Sequence, residues 1–307
     1  AQSGVPVVLH TAGSKQANWP ASGPLLVFGT HALLQAELAV PRLGLVVVDE
    51  QHRFGVQQRM ALVQKGDNPH VLVMTATPIP RTLALVLFGD LDVVTLHQRP
   101  PGRRPVRAFH VPTERWARAV RSIARAVARG GKVFVVCPAV GEDGEKGSVM
   151  RVLATLQERF RCGFVHGRLP AAERQQVLGC FRAGLVDVLV GTTVLEVGVD
   201  VPDAVLMVVV AADRFGIATL HQLRGRVGRG VRRGLCLLCG PRTARVDAVC
   251  RSTDGAVLAE ADLALRGSGE LLGTAQSGSG DLRALDPVED LDLLLRVRQA
   301  VAAEARP

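Results

Sequence analysis

Two carboxylates, Asp49 and Glu50, stand side by side directly after the apolar run Leu45–Val48 and before Gln51 and His52. An all-apolar run bounded by Gly44 and an acidic pair reads as a parallel strand buried on both faces, with its carboxylates emerging at the C-terminal end. In open α/β sheets that is the edge where ligands bind. A paired Asp and Glu there suits a magnesium–phosphate site, one carboxylate on the metal and the other on a water. A solvated acid pair at a strand end is the plainer alternative. The second candidate is TLHQLRGRVGRG, Thr219 to Gly230, where Arg226 and Arg229 lie three apart beside Gly225 and Gly228. That spacing sends both guanidiniums off one helical face, while the glycines let something approach the backbone closely. Guanidinium forks match phosphate oxygens and suit charge stabilisation in phosphoryl transfer. Here the alternative is a Gly/Arg surface turn. Upstream, GTTVLEVGVDVP puts Gly191, Thr192 and Thr193 at the end of an apolar strand, followed by Glu196, Gly198 and Asp200.

The elements that must hold these residues alternate as in a parallel α/β architecture. In the first third the strand-like runs are Leu25–Phe28, Leu45–Val48 and Val71–Met74, each followed by a polar cluster: GTHALLQ, DEQHRFGV and TATPIPRT. The Pro- and Arg-rich stretch QRPPGRRPVR, Gln98 to Arg107, has linker composition. A second series follows at Lys132–Val136, Gly163–Val165, Val186–Val190, Val205–Val210 and Gly234–Leu238, with helical segments including Glu114–Ala128 and Ala171–Ala183. Beyond Pro241 the strand pattern stops and a loop-and-helix tail begins. The expected division is 1–98, a linker at 99–107, 108–240, and a tail at 241–307.

With 307 residues and 48% hydrophobic content, the chain can bury sizeable cores in two domains. A net charge of +9 points to a polyanionic partner, although only four of 37 basic residues are lysines, so base composition accounts for the arginines equally well. The six cysteines are scattered, mostly through apolar segments, the pattern of buried free thiols in a reducing compartment. Cys236 and Cys239 form a lone CxxC without the second pair that zinc needs. The longest apolar run, Ala204–Ala212, is far short of the roughly 20 residues that span a bilayer, and no signal peptide opens the chain. A cytoplasmic location is expected.

In order, GTHALL, VVVDEQHRFGV, MTATPIPRTLA, VHGRLPAAERQQV, VGTTVLEVGVDVP and LHQLRGRVGRG resemble the motor motifs of superfamily 2 helicases. The tail TDGAVLAEADLALRGSGELLGTAQSG, Thr253 to Gly278, is similar to the translocation motif shared by the RecG family and the transcription-repair coupling factors. DEQHRFGVQQR, PPGRRPV and RGSGELLGTAQSG lean towards the RecG family. The resemblance implies tandem RecA-like domains, ATP and Mg²⁺ as cofactors, and branched or duplex DNA as partner. It also implies a monomer in the bacterial cytoplasm, associated with the nucleoid. It makes Asp49 the Mg²⁺-coordinating residue and Glu50 the one that orients the attacking water. Gln51, His52, Thr75, Thr77, Gln222 and Asp200 become nucleotide-coupling positions, Arg226 and Arg229 catalytic arginines, and Arg229 the finger on the γ-phosphate. Thr30, His31, Thr192 and Thr193 match DNA-backbone contacts. Arg245, Arg266 and Gln276 match the element that moves duplex DNA.

One part of such a motor is missing from these residues. A Gly-rich phosphate loop, G-x-x-x-x-G-K-[ST], occurs nowhere in the 307 residues; GEDGEKGS has the wrong order around Lys146, and RGGKVF sets Lys132 before a strand. In the family that loop precedes the segment resembling LHTAGSKQ, Leu9 to Gln16, so it is expected upstream of Ala1. The first RecA-like domain is therefore expected to be truncated at its N-terminus, with exposed apolar edges, and the chain to lack the family's wedge domain. A fragment of this kind is expected not to hydrolyse ATP alone. A coupling-factor-like duplex translocase and a non-hydrolysing DNA-binding module are the alternatives.

Overall fold

The computed structural model describes residues 4–11, 23–35, 40, 42–50, 56–75, 92, 94–96, 104–138, 146–192, 201–266, and 293, 296, 297 and 300. These fall into two compact units, one drawn from the chain up to Ala76 and the other from beyond it.

The first unit contains two parallel strand pairs. Strand β1 (Val7–His10) pairs with β2 (Leu26–Gly29), and β3 (Leu45–Val48) pairs with β4 (His70–Val73). A short 3-10 turn, His31–Leu34, follows β2, and helix α1 (Val56–Val63) precedes β4. The expectation that β3 is buried on both faces is corrected here. Val46 and Val48 are 7% and 3% exposed, but Leu45 and Val47 are 56% and 50% exposed. Side chains alternate across a strand, and α1 is the described helix that backs this pair, so one row is covered and the other is not. The same holds in β1–β2, where the register partners Leu9 and Phe28 are both exposed.

The second unit is a six-stranded sheet with every described pairing parallel, in the order β5-β10-β9-β6-β8-β7. The strands are β5 (Arg107–Val111), β6 (Lys132–Val136), β7 (Cys162–Val165), β8 (Val188–Gly191), β9 (Ala204–Val210) and β10 (Leu235–Cys239). The last residue of the expected linker, Arg107, thus opens a strand. Near-continuous apolar runs in β6, β8 and β9 suit strands covered on both faces. Alternate residues of β6 and β9 feed two cores: Val133, Val135, Leu206 and Val208 face one side, Phe134, Val136, Met207 and Val209 the other.

Helices α2 (Trp116–Ala128) and α3 (Lys146–Gln157) close the first core through Ala119, Ile123, Leu153 and Leu156. The second core takes Phe181 from α4 (Ala171–Arg182), Leu220 and Leu223 from α5 (Ile217–Arg224), Val246 and Val249 from α6 (Ala244–Arg251), and Leu258 from α7 (Gly255–Arg266). Phe134 and Phe181 meet in a tilted pair with ring centroids 5.1 Å apart. Thr243 starts α6 by accepting the Val246 N–H on its hydroxyl, so the tail's first helix is capped by its own sequence. Helices α6 and α7 pack on α5 and on each other. The residues just beyond Pro241 are therefore part of the second unit's core.

Candidate functional site

In the first unit the candidate residues sit at the C-terminal ends of the strands. Val48 and Val73 are register partners and Met74 N–H donates to the Val48 carbonyl at 2.8 Å, which brings Thr75 to the same edge as Asp49 and Glu50. Asp49 Oδ1 accepts the Glu50 N–H at 2.8 Å. Glu50 has φ +53°, a left-handed conformation that costs an L residue of this kind about 1–3 kcal/mol. Asp49 is exposed and Glu50 half-buried, so the pair differs in environment. Asp49 is the exposed hard oxygen donor that fits Mg²⁺, while one Glu50 carboxylate oxygen is buried. Thr30 and His31, both exposed, follow β2. The Thr30 hydroxyl accepts from Ala32 N–H and caps the 3-10 turn. Gln51, His52 and Thr77 lie outside the described residues.

In the second unit the arginine turn departs from the expected geometry. Helix α5 ends at Arg224 with Gly225 as its C-cap, so Arg226 and Arg229 do not share a helical face but flank a turn beyond it. Val227 plugs that turn into the core, Arg226 N–H donates to the Leu223 carbonyl, and the exposed Arg229 turns its Nε back onto the Gly225 carbonyl at 3.1 Å. The glycines are needed because the chain itself comes close. Gly228 has φ +66°, and a Cβ there would lie 2.9 Å from Gly234 N; a Cβ at Gly230 would lie 2.6 Å from the Pro202 carbonyl oxygen. Gly228 N–H also donates to the carbonyl of Ala204, the first residue of β9. The turn is thereby moored at the N-terminal edge of the sheet.

Thr192 lies at the opposite edge, one residue past β8. Its side chain is buried and its N–H donates to the Val165 carbonyl at 3.3 Å. A strand's length, roughly 17–20 Å, separates the two edges. Thr193 and Asp200 lie outside the described residues. Gln222 is buried on α5, one helical position after His221.

A buried arginine beside the candidate turn that sequence reasoning missed is Arg224. It is only 3% exposed, and its guanidinium donates to the carbonyls of Val249 at 2.8 Å and Ser252 at 2.6 Å, while Nη2 lies 2.7 Å from His221 Nδ1. The two carbonyls belong to the C-terminal end of α6, where unpaired acceptors and the helix dipole favour a cation. A signal was available: Ile217, Leu220 and Arg224 stand at i, i+3 and i+7, one buried stripe. In the tail, Arg245 is half-buried on α6; Arg266 ends α7 with its side chain outside the described set, as is all of Gln276.

The cysteines are free. Burial pushes the Cys137, Cys236 and Cys239 thiols up to about 12, and burial together with Asp187 raises Cys162 to about 11. Among the described residues no group of three or more His, Cys, Asp or Glu side chains is placed to hold a metal ion, and no helix is long and apolar enough to cross a membrane.

Residues 117–231 match the helicase conserved C-terminal domain family. The ATP-dependent DNA helicase RecG of Synechocystis sp. is 48% identical over 292 residues, 90% of this chain and 34% of that protein. RecG of Streptococcus pneumoniae is 42% identical over 289 residues, covering 90% of this chain and 43% of its own. A RecG solved bound to a three-way DNA junction matches 94% of this chain and 40% of its own, with a TM-score of 0.68 and 38% identity. The chain thus spans about a third to two-fifths of the length of the curated relatives it matches. Its parallel sheets are those of RecA-like helicase domains. Over the region that it spans, the chain is similar to RecG helicases.

Proposed function

We propose that this region is the motor of an ATP-dependent helicase that remodels branched DNA, such as stalled forks and recombination junctions, acting as a monomer in the bacterial cytoplasm. The observation that supports the reading most is the mooring of the Arg226–Arg229 turn. Val227 is buried in the core, Gly228 N–H bonds the first residue of β9 and Gly230 lies against Pro202, so the backbone turn that bears both arginines is held at a fixed sheet edge.

Bound Mg²⁺ and ATP would supply the phosphoanhydride and the neutralising charge. In that reading Asp49 holds the metal, Glu50 orients the water, and Thr75 with Gln51, His52 and Thr77 sense the state of the site. Gln222 and Asp200 are coupling positions as well, and Arg226 and Arg229 are the catalytic arginines, Arg229 carrying its fork to the transferring phosphoryl group. Thr30, His31, Thr192 and Thr193 meet the DNA backbone, Thr192 after a local rearrangement that exposes it. Arg245, Arg266 and Gln276 move the duplex.

A chimera that supplies a phosphate loop ahead of residue 1 tests the proposal on forked DNA. It should hydrolyse ATP in response to DNA and unwind the fork, and Arg229→Ala should lower turnover by roughly 10³–10⁵ while DNA affinity stays near the parent's. Arg229→Lys should not rescue, because a point charge does not reproduce the fork. Loss of DNA binding with ATPase retained would make these arginines backbone contacts instead.

A further inference from the structure

Helix α2 carries a charge pattern that none of the positions above uses. Its inner face buries Ala119, Val120 and Ile123. On its outer face Arg118, Arg121 and Arg125 stand at i, i+3 and i+7, and Arg129 follows at the C-cap; all four are exposed. That spacing sets the side chains in one row along the helix. The remaining exposed positions of the helix, Ala117, Ala124 and Ala128, add no charge. Arg232, three residues after Arg229, continues the row by donating its Nη1 to the Arg129 carbonyl at 2.8 Å.

A merely solvated helix face interleaves Glu with Arg, since opposite charges at i,i+4 attract and like charges repel. This chain does pair surface arginines elsewhere, as in Arg161–Asp187 and Arg242–Asp247. Along α2 the one carboxylate between Arg107 and Lys132 is Glu114. Among the described residues no hydrogen bond or ion pair reaches the guanidiniums of Arg118, Arg121, Arg125 or Arg129. At 1.5 Å per residue the row runs about 16 Å. One DNA strand presents about five phosphates over that length, at 3.4 Å of axis each. Four mutually repelling guanidiniums in line are thus complementary to a phosphate row, and each can grip it with a fork.

We infer that the outer face of α2 is a second duplex-DNA contact, holding the phosphate backbone without regard to base sequence. It rests on the reading of this protein as a DNA motor and adds a surface that the reading does not assign.

The test measures the affinity of the 307-residue chain for a blunt DNA duplex between 50 and 200 mM salt, for the parent and for an Arg118→Gln, Arg121→Gln, Arg125→Gln variant. Each lost phosphate contact should reduce the log–log salt slope by about 0.9, so the gap between parent and variant should narrow about 40-fold across that range. The Arg→Lys triple variant should keep the parent's slope. A Gln variant with the parent's slope would overturn this surface and leave the DNA reading standing. A slope reduced equally by Lys would also overturn it, since charge would not then be what binds. A parent without salt-dependent binding would overturn both. Unchanged duplex binding with loss of binding to phosphatidylserine vesicles would reassign the row to a membrane surface and end the proposal.

Discussion

The Arg224 guanidinium donates to the Ser252 carbonyl at 2.6 Å across a part-buried contact, so the helix that leads into the arginine turn is bonded directly to the end of the tail's first helix. Any shift of α5 is felt at Ser252 and at the start of α7 three residues later.

Arg224→Met should therefore destabilise the second unit. It leaves the Val249 and Ser252 carbonyls without their charged donor in a buried place, a loss of about 2–4 kcal/mol. Thermal unfolding should fall by several degrees. An unchanged melting temperature would mean that water replaces the guanidinium.

Gly228→Ala should be at least as damaging, by a different route. The substitution puts a side chain at φ +66° and a Cβ within 3.0 Å of Gly234 and of Val106 Cγ2, which directly precede β10 and β5. A loss of about 1–3 kcal/mol is expected from the backbone alone, and in the phosphate-loop chimera turnover should fall because Arg229 is displaced. Gly225→Ala is the control: Gly225 has negative φ, and its nearest neighbour is 3.3 Å from a Cβ, so the chain should tolerate it.

What the sequence made legible was whatever depends on unbroken apolar runs. Strand β6 falls where the run Lys132–Val136 puts it, and β9 within one residue. Strand β5 escaped notice because Arg107 and His110 interrupt RAFHV; an edge strand leaves one row of side chains in water and tolerates such residues. His110 is also occupied, its Nε2 lying 2.8 Å from the Gly240 carbonyl. Spacing likewise brought Arg226 and Arg229 to attention but misread how they are held, because a helix of period 3.6 and a Gly-capped turn can both set residues three apart. Arg224 looked like one more surface charge. Its role depends on α6 arriving alongside, a tertiary fact with no local signature beyond its place in a buried stripe.

Glu50 offers a test of whether strain marks function. Glycine adopts φ +53° freely, so Glu50→Gly should stabilise the first unit or leave it level, within about 1 kcal/mol, while eliminating turnover in the chimera. Glu50→Gln should keep nucleotide binding and lose hydrolysis. Equal ATPase rates for Gln and parent would remove Glu50 from its assigned place. The 307-residue chain by itself should show no DNA-stimulated ATPase.

The thiols provide a check on packing that is independent of activity. Cys137, Cys236 and Cys239 are buried and hold their protons up to about 12, so the nucleophilic thiolate is scarce at pH 8. Iodoacetamide should label these three only after unfolding. Rapid labelling in the native protein would mean that the sheet opens far more readily than its packing implies.

The tail is where nucleotide turnover should become movement, and its packing states what a mutation there must distinguish. Helix α7 rests on α5 and α6 through Leu258, and Arg224 ties α5 to the end of α6, so a purely structural cap and a force-transmitting lever share the same footing. They differ in what lies further along. Arg245 is only half-buried, with none of the bonds that make Arg224 a tie, and Arg266 comes at the last turn of α7, ahead of the Gly-rich GSGELLGTAQSG segment that carries Gln276. A lever needs its outer residues for moving DNA and not for folding. In the chimera, Arg266→Ala or Gln276→Ala should leave DNA-stimulated ATPase within a few-fold of the parent and the melting temperature unchanged, while fork unwinding collapses. Arg224→Met should lower stability and both activities together, because it removes the footing itself. If Arg266→Ala and Gln276→Ala also lost ATPase and unwinding in proportion to stability, the tail would be a cap on the second unit and coupling would have to run elsewhere.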